Sequence, residues 1–276
     1  MKRGDKVPSH LTNNLLVGVG WHAEHCFQCK ECTKGLFRSC QTTGFNGTGI
    51  TRNGGYAQYA TANWEATVVV PEGWANKPEK AAPLLCAGLT VFNALRNSEI
   101  LPGEVVVIQG IGGLGHLAVQ YASRLGYYTV AVTSSPNKHQ EAIGLGAKEA
   151  LTATEDGSHV KRIKELGGAK VVIATAPHSK SISDIVPALS FDGSLILVAA
   201  PHEPISINAI NLIISRSKIV GWPSGAPSDS EETLNASHLI GVEPLVETFP
   251  LSKANEAYKA MAQNKVRFRS VILPNA

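Results

Sequence analysis

The stretch from Val105 to His116, VVVIQGIGGLGH, constrains this chain more than any other. Val105 to Ile108 form a short β-branched run of the kind that makes a parallel strand buried on both faces. The run turns abruptly into Gly110, Gly112, Gly113, Leu114 and Gly115, a GxGxxG pattern. Leu117, Ala118, Tyr121, Ala122 and Leu125 then recur at helical spacing. In a strand–turn–helix the first glycine of such a pattern makes the tight turn, the second lets a pyrophosphate approach the backbone, and the third allows close packing of helix on strand. Free N–H groups and the positive dipole end at the helix start favour an anion there. Outside that context the pattern is weak, and a ligand-free glycine turn is the plainer reading; here the context is present, and a dinucleotide is expected.

The segments that follow alternate short apolar strands with helical patterns, from 129–133 through 137–145, near 150, 159–166, 171–174, 180–189, 194–199 and 208–215 to 218–221. Such alternation predicts a doubly wound parallel sheet, and six strands fit the count. Residues 1–70 are different, with short β-rich runs at 15–19, 56–60 and 66–70 between glycine and asparagine turns. A proline-bearing connection at 71–83 leads to a helical pattern over 84–96. After residue 221 the pattern changes again, to a helix near 231–240, an extended 245–249, a helix near 252–264 and a strand 270–273. That tail has no place in a six-stranded sheet and is expected to pack on the N-terminal β unit.

Four of the five cysteines lie within fifteen residues, as Cys26-x2-Cys29-x2-Cys32-x7-Cys40. Four thiols in one loop suit a closed, tetrahedral, structural zinc site. An iron–sulfur cluster is the competing reading, although the ferredoxin run closes after about three residues with a proline following, whereas here seven residues intervene and Gln41 follows. Two disulfides are the remaining alternative, disfavoured in a reducing compartment. His22 and His25 could substitute as ligands, but four thiols already complete a shell.

With 276 residues, 43% hydrophobic and 17% charged, the chain has the composition of a folded globular protein of one large or two ordinary domains. A net charge of +3 with interspersed signs argues against nucleic acid and anionic membrane as partners. No apolar run approaches a membrane span, and Met1 to Asp5 lacks a secretory h-region, so a cytoplasmic location is expected.

The four-cysteine loop upstream of GIGGLGH resembles the zinc-containing alcohol dehydrogenases of the medium-chain dehydrogenase/reductase superfamily. The resemblance runs through GDKV (4–7), the lobe cysteines, GGYAQY (54–59), APLLCAGLTVFNAL (82–95), the glycine turn and VRFRSVIL (266–273). It implies a Rossmann α/β domain over residues 76–222, inserted in an incomplete GroES-like catalytic domain formed by residues 1–75 and the returning tail 223–276. It also implies hydride transfer between an alcohol or aldehyde and a nicotinamide cofactor, assisted by a catalytic zinc acting as a Lewis acid.

Cys86, within LLCAG, matches one catalytic-zinc ligand of the family, although a lone cysteine in an apolar helix start is ordinarily a buried core residue. Thr90 matches a position lining the nicotinamide pocket, and Arg269 one near the cofactor. The family's other catalytic ligands lie upstream of GDKV, three residues from the start of this chain, so the resemblance implies an N-terminally shortened member. Where an NAD enzyme carries an acidic residue for the ribose, Thr133, Ser134 and Ser135 stand here, followed by Lys138. Hydroxyls and an ammonium suit a 2′-phosphate, so NADP(H) is favoured over NAD. Two alternatives remain at this level: a non-catalytic zinc- and dinucleotide-binding remnant, and a zincless reductase, against which the cysteines count. The family commonly forms homo-oligomers through the edge of the Rossmann sheet.

Overall fold

A computed structural model describes residues 4–275. Along the chain run β1 (Val17–Val19), β2 (Thr67–Val69), α1 (Pro78–Pro83), α2 (Leu89–Arg96), β3 (Val105–Gln109), α3 (Gly115–Arg124), β4 (Tyr128–Thr133), α4 (His139–Gly144) and β5 (Glu149–Thr152). These are followed by α5 (Ser158–Glu165), β6 (Ala169–Ala174), α6 (Ser179–Ile185), β7 (Leu189–Leu197), α7 (Ala209–Ser215), β8 (Lys218–Gly221), α8 (Pro227–Ile240), β9 (Val246–Pro250), α9 (Ala254–Ala262) and β10 (Arg269–Leu273). The chain divides into two compact units, one comprising residues up to Leu89 together with those from Gly225 onward, the other Thr90–Ser224.

The second unit is a six-stranded sheet, all pairs parallel, in the order β5-β4-β3-β6-β7-β8. Every residue of β3 is buried, as its unbroken Val-Val-Val-Ile run requires of a central strand. From β3 the chain winds outward through β4 and β5, then crosses to β6 and winds the other way through β7 and β8. The reversal puts a crevice at the carboxyl ends of β3 and β6, where open α/β sheets bind their ligands. Tyr121 of α3 and Ile182 and Ile185 of α6 are fully buried.

In the first unit β1 pairs antiparallel with β2, and β10 parallel with β9. Trp74 is fully buried and its indole N–H donates to the Leu234 carbonyl of α8 at 2.9 Å, tying the stretch before α1 to that helix. Glu243 accepts from both Lys77 and Lys80, closing α1 onto the segment after α8. These links explain a difference from the sequence-based partition: residues 76–89, expected with the Rossmann segment, belong to the first unit, and the return falls at Gly225 instead of residue 223. A second difference concerns 56–60, expected as a strand; residues 53–63 hold no regular secondary structure. A strand exists only where a neighbour accepts its ladder, and no partner strand among the described residues does so. The helix expected over 84–96 is also broken. Pro83, which lacks an amide donor, ends α1, Leu84–Gly88 wind as a π turn, and α2 begins at Leu89.

Candidate active site

The three glycines of the turn do different work. Gly110 has φ +95°, and a Cβ there would lie 2.6 Å from Ala176 Cβ, so both conformation and space exclude a side chain. A Cβ on Gly115 would lie 1.9 Å from the Gly110 carbonyl oxygen, the closest approach of helix to strand. Around Gly112 a Cβ would meet nothing within 4 Å. That empty space over the turn is the room a pyrophosphate needs. No side chain caps α3, and among the described residues the backbone N–H groups of Gly112, Gly113 and Leu114 donate to nothing in the chain. Uncommitted donors at the positive end of a ten-residue helix suit a phosphate, so the residues present fit a dinucleotide.

Thr175, which sequence reasoning missed, follows β6 at the crevice. Its hydroxyl donates to the carbonyl oxygens of Gly110 at 2.7 Å and Gln109 at 3.0 Å, fixing the turn from the neighbouring strand. Only its position just past a buried strand end could have signalled this. At the end of β4, Thr133 is buried and its hydroxyl accepts the Ser135 amide at 3.2 Å, whereas Ser134 is exposed. Lys138 reaches back from the start of α4 to donate to the Ile111 carbonyl at 2.8 Å. Lys138 is thereby held to the glycine turn, while Ser135 is tied to the end of β4 through Thr133.

Cys86 occupies the middle of the π turn. Leu84, Leu85, Ala87 and Gly88 are buried around it, yet Cys86 itself is exposed. The widened turn rotates one residue outward while its neighbours pack, which reverses the core reading of a lone apolar-segment cysteine; π turns are frequent at functional sites. Arg269 of β10 lies within electrostatic reach of Cys86 and Tyr56 in the same unit. Burial lowers its pKa, against the opposing pull of those two groups. Thr90 is buried in the first turn of α2.

The four lobe cysteines converge. Their sulfur atoms all lie within 4.8 Å of one another, with Cys26–Cys32 at 3.9 Å and Cys29–Cys40 at 4.0 Å. A tetrahedral zinc with Zn–S near 2.3 Å needs S···S edges of about 3.8 Å. These distances rule out disulfides in this arrangement. Backbone N–H groups of Gln28 and Cys29 point at Cys26 Sγ (3.4 and 3.3 Å), that of Gln41 at Cys29 Sγ (3.4 Å) and that of Thr43 at Cys40 Sγ (3.5 Å). Such donors stabilise thiolates: backbone donors from Cys32 and Gln41 bring the Cys29 thiol down to about 7. Burial pushes Cys40 up, but hydrogen bonds from Thr43 outweigh it and leave that thiol at about 5. Burial drives Cys32 the other way, to about 12. Cradle, spacing and donor set fit a structural zinc.

His22 and His25 are buried beside the loop, His22 Nε2 lying 2.9 Å from His25 Nδ1, and do not join the sulfur cluster. No second group of three or more metal-ligating side chains assembles among the described residues, and Cys86 belongs to no such group. The residues described do not fit a catalytic zinc.

Comparison with known proteins gives the family of the chain. The zinc-binding dehydrogenase family matches residues 113–238. The alcohol dehydrogenase patD of Penicillium expansum is 42% identical over 257 residues, covering 93% of this chain and 74% of that protein. The aldehyde reductase YahK of Escherichia coli is 32% identical, covering 98% and 78%. Among solved structures, a cinnamyl alcohol dehydrogenase from Sorghum bicolor superposes with a TM-score of 0.83 at 30% identity, over 93% of this chain and 74% of that one. The chain belongs to the zinc-containing alcohol dehydrogenases of the medium-chain dehydrogenase/reductase superfamily, NAD(P)-dependent oxidoreductases of alcohols and aldehydes.

Proposed function

We propose that this protein is an NADP(H)-preferring alcohol dehydrogenase or aldehyde reductase whose lobe cysteines Cys26, Cys29, Cys32 and Cys40 hold a structural zinc. The observation that carries the reading is the uncapped start of α3 under the open space at Gly112. When bound, the nicotinamide supplies the hydride chemistry. The chain's own residues bind and orient. The amides of Gly112, Gly113 and Leu114 take the pyrophosphate, with Gly110 and Gly115 holding the turn. Ser134, Ser135 and Lys138 meet the 2′-phosphate, the lysine preset by its bond to the Ile111 carbonyl. Thr133 fixes Ser135, and Thr90, in the same unit, is the candidate for the nicotinamide side. Cys86, turned outward in the π turn, is the thiol that the family resemblance assigns to a catalytic zinc, a site that the described residues do not complete.

That same gap supports a second reading, a zinc- and dinucleotide-binding chain without turnover. Calorimetric titration tests the first half: NADPH is expected to bind at least about tenfold more tightly than NADH, a difference of about 1.4 kcal/mol. Equal affinities would overturn the assignment of Ser135 and Lys138. Elemental analysis with an NADPH-dependent aldehyde assay tests the second half. Turnover with two zincs per chain excludes the remnant, and one zinc without turnover establishes it.

We also infer a homo-oligomer built on β8. This strand ends the sheet with one edge unpaired, and the adjacent α7 leaves Ile210, Ile213 and Ile214 exposed, the last two at 72%. An open edge beside exposed aliphatics favours pairing with a second copy. No helix among the described residues is long and apolar enough to cross a membrane.

A further inference from the structure

The chain contains two Asn-Gly pairs, Asn46–Gly47 and Asn53–Gly54, seven residues apart in the segment after the cysteine loop. An asparagine followed by glycine is chemically labile because glycine lacks a Cβ and lets its amide nitrogen swing toward the asparagine side chain. Reaction requires that the side-chain carbonyl carbon and that nitrogen meet, so hydrogen bonds to either partner oppose it. The two pairs differ sharply in this respect.

Asn46 is clamped. Its Nδ2 donates to Glu24 Oε1 at 2.5 Å, and its Oδ1 accepts from Thr51 Oγ1 at 2.6 Å. The Gly47 amide, the attacking nitrogen, donates to the same Thr51 hydroxyl at 2.9 Å, and Gly47 is buried. Glu24 is itself held by Arg52 at 3.1 Å and Asn63 at 2.8 Å. Asn53 has none of this. It is exposed, and among the described residues neither its side chain nor the Gly54 amide makes a hydrogen bond. Gly55 follows, where a Cβ would meet nothing within 4 Å, and residues 53–63 hold no regular secondary structure. The segment borders an open surface cleft of 690 Å³ that includes Tyr56 and Tyr59.

We propose that Asn53 is a site of spontaneous deamidation and isoaspartate formation in the folded protein, and that the fold protects Asn46. The Gly54 backbone nitrogen attacks Asn53 Cγ, forming a C–N bond. The Cγ–NH2 bond breaks, and ammonia leaves with the proton given up by the Gly54 amide, closing a succinimide. Water then opens the ring at either carbonyl, leaving aspartate or isoaspartate. The net change is Asn plus water to Asp plus ammonia, without oxidation or reduction. A carboxylate thereby enters the cleft three residues before Tyr56, and the isoaspartate product lengthens the backbone there by one carbon.

Peptide mapping of the purified, zinc-loaded protein tests this, because trypsin cuts after Arg38 and Arg52 and separates the two asparagines. The protein is incubated at mildly alkaline pH and sampled over days, with a zero-time digest as reference and isoaspartate methyltransferase labelling to identify the product. The peptide opening at Asn53 is expected to gain one mass unit at least about tenfold faster than the peptide 39–52, since several ordinary hydrogen bonds must open at Asn46. In urea the two rates are expected to converge, and Gly54→Ala to slow the reaction in the native protein. Comparable native rates at both sites, or no gain at Asn53, would overturn the proposal. A preference for Asn53 that persists unchanged in urea would overturn protection by the fold.

Discussion

Two glycines three residues apart can be told apart by experiment. Gly115 sits where a Cβ would overlap the Gly110 carbonyl, so Gly115→Ala must move backbone; a loss of about 3 kcal/mol or more is expected in denaturant titrations. Gly112 faces open space without a positive φ, so Gly112→Ala should leave stability within about 0.5 kcal/mol while weakening NADP(H) binding, because the added methyl occupies the ligand's room. A Gly112→Ala variant that binds cofactor normally would contradict the assignment of that space. Lys138→Asp belongs to the same scale. Replacing the ammonium that lies against the turn by a carboxylate should repel a 2′-phosphate and shift preference toward NADH, read as the ratio of the two dissociation constants.

At the scale of the element, the cysteine lobe carries two sensitivities. Removing zinc with a chelator is expected to melt the loop 26–40, seen as lost hydrogen-exchange protection there, while β3 to β8 keep theirs, since the sheet's core does not depend on the thiolates. The second concerns pH. Burial, then His25 and Arg38, lower His22 to about 4 from 6.5. Between those values the unfolded chain binds the proton and the folded chain does not, so stability is full above about pH 6.5 and falls as pH drops toward 4, by about 3 kcal/mol in total. Thiolate protonation also acts in acid, so the measurement is the difference between wild type and His22→Gln. The variant should lose this part of the slope.

At the scale of the whole molecule, the β8 edge predicts association. Sedimentation is expected to show a dimer or larger oligomer at micromolar concentration. Ile214→Asp should shift it toward monomer with circular dichroism unchanged, because the side chain is 72% exposed within one protomer and an intramolecular role is therefore small. A wild-type protein that sediments as a monomer would remove the inference.

Much of this molecule was legible along the chain because its signals are local. A β-branched run, a glycine cluster and an apolar stripe of period 3.6 are read from neighbours in sequence, and they are enough for β3, the turn and α3, and for the alternation that becomes a six-stranded parallel sheet. The cysteine spacing is equally local, since one loop closes it. What the tertiary structure alone decided depends on groups distant in sequence. Tyr56–Ala60 has the composition of a strand and no ladder to join. Cys86 sits in an apolar segment that reads as core, and faces outward because a π turn follows Pro83. Thr175 and Lys138 hold the glycine turn through bonds spanning 65 and 27 residues, and Asn46 differs from Asn53 only through partners folded onto it. Pattern determines which backbone a segment can adopt; only the packed chain determines which donors, acceptors and spaces are left over for chemistry.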